Sequence, residues 1–323
     1  MERIAVMTSG GDAPGMNAAV RAVVRCALDK GLDIFGIRAG FQGLLDSKFE
    51  PMNSRSVGGI IRTGGTILQS ARCDEFRSSV GQMKSLENLK AAGIEGLVVI
   101  GGDGSLRGAL ALHKLGFPTV GVPASIDNDI GGTELSIGTD TALNTIIDAL
   151  DKIKDTATAH RRAFIVEVMG RRHGYLALAS GIAGGAELIV LPRTRIDKQD
   201  TARLAREAFE RGKPHFIVVI AEGASTERRT GRDDVHEAIL LAGFEVRMTV
   251  LGHVQRGGSP SVTDRILGTR LGAEAVELLA AGQSGVMVGI QGGKIISSPF
   301  ETVLSTPPIL NEGLVALAEP LAR

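Results

Sequence analysis

The stretch GVPASIDNDIGG, residues 121–132, decides the interpretation of this chain, because an apolar strand pattern gives way there to a polar loop. Pro123 ends the apolar run, since proline cannot donate to a sheet ladder. Ser125, Asp127 and Asp129 follow at alternate positions, where open α/β sheets hold reactive groups. One carboxylate could accept a proton from an attacking hydroxyl, while the other steers it or lies near a metal. A polar turn whose Asp side chains cap their own backbone is the alternative.

Two glycine-rich loops also follow predicted strands. TSGGDAPGMN (8–17) follows a strand over 4–7, and GGDGS (101–105) follows a strand over 96–100. Strand, glycine-rich turn and helix together point backbone N–H groups at a phosphate. Asp103 is placed to hold Mg²⁺, which prefers one or two carboxylates plus phosphate oxygens, or it is an ordinary turn residue. The chain lacks both GxxxxGK[ST] and GxGxxG, and the second absence makes an NAD-dependent dehydrogenase a remote alternative.

The order of elements predicts an α/β fold. Strand and helix patterns alternate almost throughout the 323 residues, which favours mostly parallel sheets covered on both faces and two domains. A polar loop is expected over 224–233, a strand over 246–251, a helix over about 264–281, then a hairpin and a C-terminal helix over 312–322. Polar clusters recur at strand C-termini, and this placement indicates an enzyme.

Composition narrows the class of protein. Lys+Arg and Asp+Glu number 36 each, so net charge gives no argument for nucleic acid or an anionic membrane as a partner. Cys26 and Cys73 are the two cysteines, which suggests neither a disulfide framework nor a zinc site and fits the cytoplasm. The N-terminus lacks a signal-peptide layout, and no apolar run approaches a membrane span, so we expect a soluble protein.

Arginines are grouped at several of the predicted loops and helices. Arg21 and Arg25 are four residues apart on a predicted helix, so they share a face that is either solvated or able to hold an anion. Arg72 and Arg77 lie on either side of Cys73, and further pairs stand at 161–162 and 171–172. Arginine fits phosphate through its planar fork of donors.

The motifs together resemble the bacterial 6-phosphofructokinases. The resemblance rests on residues 8–19, 101–105, SIDND (125–129), EVMGR (167–171) and GHVQRGGSP (252–260), and it runs in order from residue 2 to about 300. It implies two Rossmann-like three-layer α/β/α domains with mostly parallel sheets. Residues 1–138 with 252–303 would bind ATP, and residues 139–251 with 304–323 would bind fructose 6-phosphate.

The resemblance implies transfer of a phosphoryl group from MgATP to the 1-hydroxyl of fructose 6-phosphate, the committed step of glycolysis. Asp127 would be the base, Ser125 would hold the transferring group, Asp129 would support the metal or the base, and Arg171 would neutralise the moving group. The nucleotide residues would be Gly11, Arg72, Cys73, Gly102, Asp103, Gly104 and Ser105, with Asp103 on Mg²⁺. The sugar-phosphate residues would be Ser125, Asp127, Arg162, Met169, Gly170, Arg171, Glu222, Arg247, His253 and Arg256.

The resemblance also implies regulation and assembly. Arg162 and Arg247 would reach the site of a neighbouring subunit in a homotetramer. An effector site for ADP or phosphoenolpyruvate would use Arg21, Arg25, Lys154, Gly185, Glu187, Arg211 and Lys213. Lys154 and Arg211 exchange the family's usual cation types, and Ser54 stands where many relatives have Arg.

The phosphoryl donor is inferred from two positions. Pyrophosphate-using relatives typically carry Asp at the position of Gly104 and Lys at that of Ala124, so this chain resembles the ATP users, although their usual residue at 124 is glycine. A pyrophosphate-dependent transferase is the nearest rival. A nucleotide- or sugar-phosphate-sensing subunit without catalysis is the other, and the retained Asp103, Asp127 and Arg171 argue against it.

Overall fold

A computed structural model of the chain, which describes residues 1–226, 229–307, 310 and 312–322, confirms the α/β class. The strands are β1 (Arg3–Ser9), β2 (Asp33–Ile37), β3 (Phe49–Pro51), β4 (Gly96–Gly101), β5 (Thr119–Pro123), β6 (Ala163–Val168), β7 (Leu188–Val190), β8 (Phe216–Ala221), β9 (Ser225–Thr226), β10 (Arg229–Thr230), β11 (Val246–Val250), β12 (Val286–Gln291) and β13 (Lys294–Pro299). The α-helices are α1 (Met16–Asp29), α2 (Gly40–Leu45), α3 (Ser79–Ala91), α4 (Asp103–Lys114), α5 (Thr139–His160), α6 (Tyr175–Ala183), α7 (Lys198–Glu210), α8 (Gly231–Leu241), α9 (Val262–Ala280), α10 (Phe300–Ser305) and α11 (Glu312–Ala322).

The chain forms two compact units. The first unit comprises Met1–Thr141 and Arg256–Pro308, and the second comprises Ala142–Gln255 and Ile309–Arg323. The described helices include none with the length and apolarity that a bilayer crossing requires.

The first unit is built on a seven-stranded sheet in the order β13-β12-β5-β4-β1-β2-β3. The five inner strands are parallel, and β3 and β13 pair antiparallel at the edges. The chain moves outward from β1 to β2 and then returns to the other side of β1 as β4. In open α/β sheets such a reversal of strand order opens a crevice at the carboxyl ends of the strands.

Helices cover both faces of this sheet because its inner strands are mostly apolar and buried. Ala5 and Met7 pack in one core with the leucines of α2, α3 and α4. Ile4 and Val6 are equally buried, and the period of two along a strand turns them to the opposite face. The helices α1 and α9 pack against each other and against the inner strands.

The second unit has a fully parallel four-stranded sheet in the order β11-β6-β8-β7. Ile165 and Val218 form its core with Phe209 of α7 and Ile239 of α8. The phenyl rings of Phe209 and Phe244 stack there with their centroids 3.9 Å apart.

The expectation of a polar loop over 224–233 is wrong where those residues are described; residues 227 and 228 lie outside the described part. The strands β9 and β10 pair there, and α8 begins at Gly231. Asp233 and Asp234 stand in the first turn of α8, where acidic side chains complement the helix dipole. The first turn of α8 is polar, so the sequence over 231–234 resembles a loop. The apolar face of the helix begins only at Val235 and continues with Ala238 and Ile239.

Candidate active site

Three loops named from the sequence leave neighbouring strands at one edge of the first unit's sheet. Ser9 of β1 is in register with Gly101 of β4, and Gly101 is in register with Pro123 of β5. The N–H of Ala124 donates to the carbonyl of Gly101 at 3.0 Å, which continues the ladder into both loops. The glycine loops and the Ser125–Asp129 loop therefore lie side by side where the strand order reverses.

The loop after β1 is held against the segment that carries Arg72 and Cys73. The hydroxyl of Thr8 donates to the carbonyl of Gln69 at 2.9 Å, and that of Ser70 donates to the carbonyl of Gly10 at 2.7 Å. Arg72 is exposed, and Cys73 packs against the edge of the core. The structure thus brings Gly11, Arg72 and Cys73 to one side of the sheet edge.

Asp103 is the first residue of α4, after Gly102 at the N-cap. Both of its carboxylate oxygens accept hydrogen bonds from Arg107, from Nε at 2.9 Å and from Nη2 at 3.1 Å. A Cβ atom on Gly104 would meet nothing within 4 Å, so the space beside the carboxylate is open. The sequence interpretation did not consider Arg107, although its spacing of four from an acid on a helix was the available signal.

The acidic groups fit magnesium bound through a nucleotide better than magnesium held by protein alone. Within the described residues no three His, Cys, Asp or Glu side chains group closely enough to hold a metal ion. Mg²⁺ is commonly bound by one or two carboxylates while phosphate oxygens and water complete its shell. Asp103, at a helix N-terminus suited to phosphate, matches that donor set.

The loop after β5 is fixed by its own polar side chains. The hydroxyl of Ser125 donates to Oδ1 of Asp129 at 3.0 Å and accepts from the N–H of Asp127 at 3.3 Å. Asn128 has a left-handed φ of 49°. Its side chain donates to the carbonyl of Glu134 at 3.0 Å and accepts from the N–H of Ser136 at 2.9 Å. The sequence alternative was a polar turn in which the Asp side chains cap the backbone. In the structure the side chain of Asn128 makes hydrogen bonds of that kind.

Asp264 of α9 fixes the end of this loop from across the sequence. The residue is fully buried. Its carboxylate accepts from the N–H of Gly138 at 2.8 Å and from the N–H and hydroxyl of Thr141 at 2.8 and 2.5 Å. Burial raises the pKa of this carboxyl group, against the opposing effect of the three hydrogen bonds. The sequence interpretation missed Asp264, because Ser261 three residues earlier resembles an ordinary capping box.

In the second unit a cavity of about 430 Å³ opens at the carboxyl ends of β6 and β8. Nε of Arg171 lies 3.2 Å from Oε1 of Glu222, so two of the expected sugar residues meet there. Nη1 of Arg232 lies 3.2 Å from Oε2 of Glu167 in the same cavity, a pair that the sequence interpretation did not include. The cavity is lined by Glu167, Arg171, Glu222, Gly223, Ser225, Arg232 and Asp233.

The GHVQRGGSP segment divides between the two units. Gln255, fully buried, accepts from the N–H of Met169 at 3.2 Å in the second unit, and the side chain of Met169 is itself buried. His253 is exposed. Arg256 belongs to the first unit, where its Nη1 lies 4.0 Å from Oδ1 of Asp12, and a Cβ atom on Gly11 would overlap its guanidinium. Arg256 therefore lies beside the glycine loop expected to bind nucleotide.

Arg162 and Arg247 share one partner at the amino ends of β6 and β11. Nε of Arg162 lies 2.7 Å from Oε2 of Glu245, and Arg247 contacts the same carboxylate. The two arginines expected to serve a neighbouring subunit are thus close together in one protomer.

Four of the expected effector residues group within the second unit. Nζ of Lys213 lies 3.2 Å from Oε1 of the buried Glu187. Nζ of Lys154 would lie 3.4 Å from a Cβ atom on Gly185. His215, which was not anticipated, bonds Thr158 at 2.9 Å. Its pKa is lowered by burial and by the two lysines, against the opposing effect of Glu187. Arg211 pairs instead with Glu207, and Arg21 and Arg25 stand on α1 of the first unit.

Glycine loops at helix N-termini beside adjacent carboxylates, on a parallel sheet, define an α/β enzyme of phosphoryl transfer. The family model for phosphofructokinase matches residues 3–279, and the chain belongs to that family. It is 52% identical over 322 residues to the ATP-dependent 6-phosphofructokinase of Shouchella clausii, with both chains covered completely. It is 49% identical over 331 residues to the enzyme of the same name from Halothermothrix orenii, again with complete coverage of both.

Solved structures agree with this assignment. The phosphofructokinase of Saccharomyces cerevisiae matches all of this chain with a TM-score of 0.89 and 37% identity, and the match covers 47% of that longer chain. A pyrophosphate-dependent phosphofructokinase from Marinobacter aquaeolei matches 97% of this chain and 86% of its own, with a TM-score of 0.85 and 22% identity. The second likeness is evidence of a shared fold alone.

Proposed function

We propose that the chain is an ATP-dependent 6-phosphofructokinase that converts fructose 6-phosphate and MgATP into fructose 1,6-bisphosphate and ADP. The observation that carries this proposal is the hydrogen bond from Ala124 to Gly101, which sets the loop of acids directly beside the phosphate-type loop. The full-length identity of 52% to an ATP-dependent relative supports the same conclusion.

The proposed step is an in-line displacement at the γ-phosphorus. The 1-hydroxyl oxygen of the sugar phosphate forms a bond to phosphorus, the bond to the β,γ-bridging oxygen breaks, and the proton passes to Asp127. Ser125 and Asp129, which are bonded to each other, keep the base oriented. Such reactions need positioning and positive charge more than covalent help, and we assign the charge to Arg171. A magnesium ion held by Asp103 and the nucleotide would supply further neutralisation of phosphate charge.

ATP is favoured over pyrophosphate as donor by the space at Gly104. Its Cβ position is open, whereas the Asp of pyrophosphate users would place a carboxylate in that space.

We assign nucleotide binding to the first unit and sugar-phosphate binding to the second. We further propose a homotetramer in which the cluster of Lys154, Gly185, Glu187 and Lys213 binds ADP or phosphoenolpyruvate. We also propose that the protein is located in the cytoplasm.

Assays of initial rate with fructose 6-phosphate and either ATP or pyrophosphate test the proposal. We expect turnover with ATP, because Gly104 leaves room for the nucleotide. Asp127→Ser should lower kcat by about 10²–10⁴-fold, the usual contribution of a general base, with a small change in KM. Asp155→Ser, at an exposed position on α5, is the matched control.

Three results would count against this function. Pyrophosphate supporting the faster reaction would reverse the choice of donor. Binding of both substrates without product would indicate a sensor. An Asp127→Ser variant with the kcat of the Asp155→Ser control would remove Asp127 from its role as the base.

A further inference from the structure

Arg107 is a cation at the nucleotide end of the first unit that the proposed reaction does not use. It stands one turn after Asp103 on α4, and its guanidinium makes two N–H···O bonds to the two carboxylate oxygens. Nη2 also donates to the carbonyl of Leu304 at 3.4 Å, which ties the guanidinium to the end of α10. Paired bonds of this kind orient a carboxylate more firmly than a single contact does.

The position of the pair matters as much as its geometry. Side chains on a helix lean toward its N-terminus, so the guanidinium lies over the first turn of α4. That turn begins after Gly102, where a helix N-terminus offers backbone N–H groups to phosphate, and it carries the open space beside Gly104. A cation arriving with a triphosphate would reach Asp103 where both carboxylate oxygens are already bonded to a positive group.

We propose that Arg107 is a positioning residue that competes with the divalent cation for Asp103 and so sets the metal affinity of the enzyme–nucleotide complex. This inference rests on the proposed function, since it takes Asp103 as the metal ligand. With Arg107 present, the cation must displace a hydrogen bond or bind beside a unit positive charge. With Arg107 removed, the carboxylate is available to the cation without that competition.

A purely structural role for the pair makes a different prediction. Acidic and basic side chains four residues apart commonly stabilise a helix slightly. In that case removal of Arg107 would alter the stability of α4 and leave metal affinity unchanged. Metal binding, measured apart from turnover, therefore separates the two roles.

The test is a titration of Mn²⁺ into the full-length protein saturated with the non-hydrolysable β,γ-imido analogue of ATP, followed by electron paramagnetic resonance of free Mn²⁺. Arg107→Gln should bind Mn²⁺ more tightly than wild type by about two- to fivefold, the range that an exposed ion pair can supply. Arg107→Lys, which keeps the charge without the fork, should fall between them.

The matched control is Arg203→Gln on α7. This arginine also bonds two acids on its own helix, Glu207 at 3.0 Å and Asp200 at 3.2 Å, but in the second unit. Unchanged or weaker Mn²⁺ binding in Arg107→Gln, or an equal shift in the control, overturns the inference. The phosphofructokinase assay of the wild type is independent of this shift, so failure of the proposed function is recognised separately.

Discussion

At the scale of single residues, the loop that carries the proposed base is held by an acid far away in the sequence. Asp264 holds Gly138 and Thr141 through three hydrogen bonds, and the loop that ends there carries Ser125, Asp127 and Asp129. Local patterns identified the three loop residues because they follow a strand directly. They could not identify the role of Asp264, because its partners lie 123 and 126 positions away and its near neighbour Ser261 explains it as a cap.

Asp264→Asn should destabilise the protein, because its amide NH₂ group would face the N–H of Gly138 or of Thr141. That N–H would lose the hydrogen bond that it now donates to the carboxylate. We expect a loss of about 1–3 kcal/mol in the free energy of unfolding, the cost of leaving a buried donor without its partner. Urea denaturation at several pH values measures it. Thr263→Ala, an exposed neighbour on α9, is the control.

The pH dependence of this loss has a defined sign. Burial raises the pKa of Asp264 above the unfolded value, so the folded chain binds this proton more strongly than the unfolded chain. The stability that this group contributes is complete below the unfolded pKa and declines as pH rises through the folded pKa. Because Asn does not titrate, the difference between the two proteins should shrink with rising pH across that window. A difference that grows with pH would show that the carboxylate is preferentially charged in the fold.

At the scale of elements, apolar runs predicted the inner strands well, because strands buried on both faces need no alternation. Short helices were not predicted, because they are too short to show a periodic pattern. The helices α2 and α10 have six residues each, too few for a helical period to show. The contact between α1 and α9 was also beyond the sequence, since glycines inside a helix lower confidence in the helix without naming its partner.

That contact yields a prediction about the packing of two helices. A Cβ atom on Gly272 would lie 2.6 Å from the carbonyl oxygen of Ala19, and one on Gly268 would lie 2.7 Å from that of Gly15. Gly272→Ala should therefore lower the free energy of unfolding by about 1–3 kcal/mol through overpacking, although alanine favours a helix by about 1 kcal/mol. Calorimetry of the variant beside wild type gives the measurement.

Gly104→Ala serves as the matched control for stability, because it makes the same change within α4 where the added methyl meets no atom within 4 Å. We expect it to be neutral or slightly stabilising. If Gly272→Ala proved as stable as Gly104→Ala, the close approach of α1 and α9 would not be required for the fold.

At the scale of the whole molecule, the alternation of strands and helices predicted the α/β class, and the resemblance supplied the family. Neither pattern shows which strands are neighbours. The sheet of the first unit takes β12, more than 160 positions later in the chain, beside β5 through the register of Val286 with Val120. Pairings over such distances follow from tertiary packing, which no local window of sequence contains.

The placement of two arginines leads to a prediction about assembly. Arg162 precedes Ala163 at the amino end of β6, while the cavity with Arg171 and Glu222 lies beyond Val168 at its carboxyl end. Six residues of strand span about 20 Å, which separates Arg162 from that cavity within its own unit. Arg247 contacts the same Glu245 as Arg162 and therefore lies toward the same end of the sheet. Their placement away from the cavity fits a role at another subunit's site, which is the arrangement that the proposed homotetramer requires.

Hybrid oligomers test this arrangement. Asp127→Ser and Arg247→Ala should each have little activity alone, because one lacks the proposed base and the other a proposed phosphate contact. After dissociation and reassembly together, sites that combine an intact Asp127 from one protomer with an intact Arg247 from its partner should regain activity. The control mixes Asp127→Ser with Asp103→Asn, whose losses both fall in the first unit of the same protomer, so no complete site can form. If neither mixture regained activity, Asp127 of one protomer and Arg247 of its partner would not act at a shared site.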